Sequence, residues 1–383
     1  MKRALTVLFL CAGCGPGPVT PPATTKLDLN DVSFLYPLPS NLAGRDSLLK
    51  FSSSGAKGQL FPRAFFDQVK AVEENVDKGV IYDGMRIISA RVDYAFPLNK
   101  KDEPTKTVTQ VRLVAQMIEQ GDAGITTRDG TIHLFFDQSD ADWAKVVEGV
   151  GELKGIAGAA TDGKPLDVHP VMKAQGLEGA YAKKLNELIL AQCGEQNLSR
   201  VAFMVSATRG DKWTFGAFIR KNALLEADPI PRLTDKDEQQ VDENGVEERR
   251  ASEMIPSPNN DGDFSTLISY TAIQLADDLT LQRATKAALL IEHPEKETPQ
   301  TIDCASCHLV SRALSFAAKT RNIDLNTFSD RYIGPSRFDL RRVDEAHDDP
   351  FAQRAFGYFH AKSALSQRTI NESAVIAEAM SPK

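Results

Sequence analysis

Apolar and polar residues alternate along residues 86–96, 108–120 and 131–136, and this period of two predicts strands. The period then changes. Within residues 140–153, Trp143, Val146, Val147 and Val150 recur at helical spacing, and within 177–193 Tyr181, Leu185, Leu188 and Ile189 share one helical face. Residues 201–208 and 213–220 flank a turn at Arg209-Gly210-Asp211 and read as a β-hairpin. Its second arm places Trp213, Phe215, Ala217 and Ile219 on one side. This pattern predicts an α+β unit: a mainly antiparallel sheet with one face buried under helices.

The last third reads differently. Leu267, Ile268, Ile273, Leu275, Leu279 and Leu289 mark residues 265–292 as helix, ended by Pro294 and Pro299. Helix resumes after His308 through Leu309, Ala313, Phe316 and Ala317, and residues 322–351 are loop-rich. Thr369-Ile370-Asn371-Glu372 has the form of a capping box opening a final helix with Val375, Ile376 and Ala379. Between the two parts, residues 235–250 are dense in Asp, Glu and Gln and read as a solvated loop. The Asn259–Asp263 stretch reads as a turn, because a calcium loop would place its glycine and a closing Glu elsewhere.

Composition sets bounds. At 383 residues, 42% apolar and 25% charged, the chain is long enough for two ordinary domains. The net charge of -7 and the lack of long basic clusters argue against nucleic acid as a partner. After residue 13 no apolar run approaches the ~18 residues of a membrane-spanning helix.

The stretch richest in chemistry is Cys304-Ala305-Ser306-Cys307-His308. Two thiols three apart on a helical turn can both bond to one porphyrin, and the adjoining imidazole can bind its iron. A zinc site would want a second close Cys/His pair, which the chain lacks; a thioredoxin-type dithiol would want a preceding strand and a helix opening at the first Cys. C-x-x-C-H resembles the c-type cytochromes. The resemblance implies one haem c bound covalently by Cys304 and Cys307, with His308 as proximal ligand. It extends over roughly the last 90 residues and implies a small all-α cytochrome c-like domain at 265–383, following an α+β domain at 31–264. A unit that small would lean on its haem for stability. The aromatic patch at 355–359 would suit packing against a porphyrin.

In that family the distal ligand is usually a downstream Met, which points to Met380, with His360, His347 and His293 as alternatives. A thioether would raise the reduction potential, a second imidazole would lower it, and an open site would admit small ligands. His133, inside an alternating strand, and His169, before Pro170, read as structural or surface residues, not ligands. Cys193, ending a helix-like run, reads as a small buried residue or else a reactive thiol.

At the other end, Met1-Lys2-Arg3 and a short apolar run lead to Cys11-Ala12-Gly13-Cys14, which resembles the lipobox of bacterial lipoproteins, with Cys11 where Leu is usual. The resemblance implies a signal peptide at 1–13, a lipid on Cys14, a Pro/Gly/Thr-rich tether over 14–30 and an envelope location, with the outer membrane favoured by Gly15. The expected function is one-electron transfer between redox partner proteins. A haem-based sensor or peroxide-reacting enzyme with an open distal site, and a non-redox lipoprotein with a structural haem or a Cys304–Cys307 disulfide, stand as alternatives.

Overall fold

The alternating segments come together as one antiparallel sheet in the computed structural model, which describes residues 26–69, 76–97, 107–206, 212–233, 236–243, 249–251, 264–349 and 352–382. Its nine strands are β1 (Ser33–Leu35), β2 (Met85–Pro97), β3 (Thr107–Gly121), β4 (Gly124–Asp137), β5 (Leu198–Ser206), β6 (Lys212–Lys221), β7 (Leu224–Ala227), β8 (Glu238–Glu243) and β9 (Arg249–Ala251). The order is β1-β2-β3-β4-β5-β6-β8-β9. β8 pairs with one end of β6 and β7 with the other. The helices that matter here are α1 (Leu29–Val32), α2 (Asp140–Ala157), α3 (Ala180–Gln192), α4 (Asp278–Glu292), α5 (Cys304–Arg321) and α6 (Gln367–Met380).

The first face of the sheet is apolar. Ala90, Val92, Val111, Leu113, Leu134, Phe136, Val201 and Phe203 are buried with Trp143 and Val146 of α2 and Leu185 and Ile189 of α3. Each large side chain buried here contributes about 1.5–3 kcal/mol. The second face is mixed. Met204, Trp213, Phe215 and Val241 form a second core with Leu281, Ala288 and Ile291 of α4 and Ala305, Leu309 and Val310 of α5. Toward β2 and β3 the same face carries Arg91, Asp93, Gln110 and Arg112, as the register of the two strands requires.

The expected fold class needs correction. Residues 265–382 do not make a separate small all-α cytochrome c-like domain; they are the second helical layer of the same sheet. They also contain a hairpin, β10 (Phe356–Phe359) and β11 (Lys362–Leu365), whose Phe356, Tyr358 and Leu365 join the first core. α6 returns to that core through Ile370, Ala374, Ala377 and Met380, and Ser373 Oγ lies 2.7 Å from Ser33 Oγ of β1. Sequence pattern misleads here because the mixed face of the sheet reads as solvent-facing when its helical cover is read alone.

Smaller differences have local causes. Residues 265–292 are broken: a 3₁₀ turn at Ser265–Ile268 and a helix at Tyr270–Leu275 precede α4, which Asp277 restarts by accepting from Thr280 N at 2.7 Å. The final helix is capped by Ser366, which accepts from Thr369 N, so Glu372 is free to pair with Arg91 at 2.6 Å and Arg368 at 2.8 Å. The charge-dense run contains β8 and β9 at the sheet's edge, where polar strands are tolerated. The readings at 1–25 (signal peptide, Cys14 and most of the tether), 209–211 and 259–263 fall outside the described residues.

Candidate functional site

α5 opens on the motif itself. Asp303 caps it, accepting from Ser306 N at 2.9 Å. Gln239 of β8 secures the turn from below: its Nε2 donates to Asp303 Oδ2 at 2.8 Å and its Oε1 accepts from Ala305 N at 2.7 Å. The first turn is thereby bonded to the sheet. Cys304, Cys307 and His308 occupy positions i, i+3 and i+4, so all three share one side of the helix. They are half-exposed, whereas Ala305, Ser306, Leu309 and Val310 on the other sides are buried.

His308 is oriented by a single bond. Its Nδ1 lies 2.6 Å from the carbonyl oxygen of Gln353. A carbonyl only accepts, so Nδ1 carries the proton and the neutral ring presents a lone pair on Nε2. Burial pulls the imidazole down to about 4, so it is neutral near pH 7. Its ring packs on Phe215 of β6, centroids 4.9 Å apart. Both thiols are free. Burial pushes Cys304 up to about 12, with the Asp303 carboxylate adding to it, and burial also raises Cys307.

Through Phe215, His308 meets the second face of the sheet, which carries further polar and aromatic groups. On β4, His133 and Phe135 point to the α5 side; Ala202 stands opposite His133 on β5, and Ala217 stands opposite Ala202 on β6. Arg112 lies between the rings of Phe96 and Phe135, 5.3 and 4.9 Å from their centroids. Its Nη2 is 3.2 Å from Asp93 Oδ2 but misaligned, so Nε and Nη2 are buried donors with no hydrogen-bond acceptor. The charges of Arg368 and Arg112 reach Cys307, and that of Arg200 reaches Cys304. Burial, then the charges of Arg112 and His308, hold His133 well below the ordinary histidine range, which puts the two imidazoles within electrostatic reach of each other.

The candidate distal ligands have other surroundings. Met380 is 1% exposed in the first core, at the far end of α6. That helix touches α5 near its start, where Gln367 N donates to Ser311 Oγ, so Met380 is about 20 Å further along the axis. His360 is exposed at the hairpin turn with φ +55°, its carbonyl accepting from Thr127. His347 Nδ1 accepts from Arg342 Nε at 2.5 Å, and His293 packs edge-on against Tyr332. Phe356 and Tyr358 of the aromatic patch are core residues. Cys193 is fully buried, with its thiol pushed up by burial, which leaves it a packing residue.

Three side chains therefore stand as sequence spacing expects, and the partners missed (Gln353, Gln239, His133, Arg112) come from distant segments that no local pattern links to the motif. No family model matches the chain, and neither a curated protein nor a solved structure matches it. Among the described residues, no three His, Cys, Asp or Glu side chains gather to hold a metal ion unaided, and no helix is long and apolar enough to cross a membrane.

Proposed function

We propose that this protein carries one haem c on a sheet-centred fold. Cys304 and Cys307 hold it covalently, and His308 binds the iron. The observation that supports this reading most is the Nδ1–Gln353 bond, which fixes the tautomer that leaves the Nε2 lone pair free, on a residue that shares one side of α5 with the two thiols. The acceptorless N–H groups of Arg112 suit the carboxylates of the macrocycle. When bound, the haem supplies a reversible one-electron couple. The protein would then pass single electrons between redox partner proteins at the bacterial envelope, held to the membrane by a lipid on Cys14.

One observation favours a second reading: α5 opens at Cys304, as a dithiol motif requires. The rest of that pattern disagrees. Turns, not a strand, precede the motif, and Asp303 places a carboxylate where an attacking thiolate needs positive charge.

The test is expression in a host with the haem c maturation machinery, followed by acid–acetone extraction. Colour that stays with the protein, with sharp reduced bands, is the expected result. The Cys304→Ala/Cys307→Ala double variant should be folded and free of covalent haem. Colourless wild-type protein, or haem removed by extraction, would refute the proposal.

A further inference from the structure

Given the haem reading, on which this step rests, the question left by the structure is what stands across from His308. The chain has five other histidines. His169 lies on the first face, stacked on Tyr181 at 4.2 Å, with Nδ1 accepting from Met172 N. Nδ1 of His293 and of His347 is likewise occupied, by Glu295 N and Arg342 Nε, and His360 is exposed at a hairpin turn. His133 differs from all of them. It is half-buried in the middle of a central strand, and neither ring nitrogen has a hydrogen-bond partner among the described residues. Neither ring nitrogen belongs to the buried atoms left without a partner, so both keep contact with solvent and a lone pair there is open to a ligand.

We propose that His133 supplies the second axial ligand, making this a bis-imidazole haem protein. β4 presents His133 from the sheet, and α5 presents His308 from the helical layer above the same face. Two alanines, Ala202 and Ala217, fill the successive rungs from His133 toward the strand on which His308 packs. Two rungs span about 10 Å. Small side chains there leave the space over the strands open, as the half-exposed Ala202 in the middle of a covered sheet indicates. The competing soft ligand on this face is Met204, opposite Phe215, but its sulfur already accepts from Arg354 Nη1 at 3.2 Å. Two neutral imidazoles favour the ferric state relative to a His/Met pair, so the carrier works at low potential.

The experiment compares the wild-type holoprotein with His133→Ala and His133→Met by absorption and electron paramagnetic resonance. The expected wild type is low-spin in both oxidation states, lacks the weak far-red band of thioether ligation, and does not bind carbon monoxide when reduced. His133→Ala should keep its covalent haem, become high-spin, bind carbon monoxide, and return to low-spin on adding imidazole. His133→Met should shift the potential upward. A wild type that is high-spin or shows the far-red band, or a His133→Ala variant with an unchanged spectrum, would overturn the assignment while leaving the covalent haem intact. Wild-type protein without haem would remove the underlying reading as well.

Discussion

At His308 a backbone carbonyl takes the Nδ1 proton and leaves the Nε2 lone pair free, as the proposed iron ligation requires. Residue chemistry also separates ligands from packing. Met380 sits at the expected sequence position for a thioether ligand, yet it is buried in the first core beside residues of α6. Met380→Ala should lower the stability of the protein by about 2–4 kcal/mol through the cavity it leaves, as measured by urea unfolding, with the haem spectrum unchanged. A changed spectrum at unaltered stability would return Met380 to the iron. The Cys304-x-x-Cys307-His308 arrangement is legible in the sequence because its three side chains fall within about one helical turn. Gln353 is not, because it meets His308 only through the tertiary fold, and the proposed role of His133 likewise depends on strand register.

At the scale of elements, periodicity identified β2, β3, β4, the β5–β6 hairpin, α2 and α3, where one side of each element packs into an apolar core. It failed where polar groups are buried in pairs. Arg91, Asp93, Arg112, Arg368 and Glu372 look like solvated positions in the sequence, but they form a charged network between β2, β3 and α6. Burial pushes Glu372 up, but the charges of Arg91, Arg368 and Arg112 together outweigh it and hold the carboxyl at about 2. Short edge strands escaped for a related reason: β8 and β9 lie in a run whose charge density reads as loop. β8 nonetheless carries Gln239, the residue that bonds the motif's helix to the sheet.

At the scale of the whole molecule, the motif belongs to one layer of a helix–sheet–helix arrangement instead of a small domain stapled by its cofactor. Two extensive cores hold the layers, so the protein without haem should remain folded. Its acid limit comes from histidines held neutral by burial, His169 together with His133 and His308. Burial keeps His169 at about 3 against an ordinary 6.5. Below pH 6.5 the unfolded chain takes up a proton that the folded chain refuses. The contribution is therefore complete above about pH 6.5 and is lost as pH falls toward 3, by up to about 1.4 kcal/mol per pH unit. Glu372 acts in a lower window, between 4.5 and about 2. In denaturant titrations of the haem-free protein between pH 7 and 5, His169→Asn should reduce the slope by one proton's share, leaving that of the other buried histidines; an equal slope in both proteins would contradict the assignment.

The central claim is that Cys304 and Cys307 carry a haem, and the most direct measurement is the intact mass of protein purified from a maturation-competent host. The account predicts a mass raised by one haem that survives denaturation and is lost on replacing both cysteines by alanine. A wild-type mass without that increment, or one lowered by the two hydrogens of a Cys304–Cys307 disulfide, would contradict it.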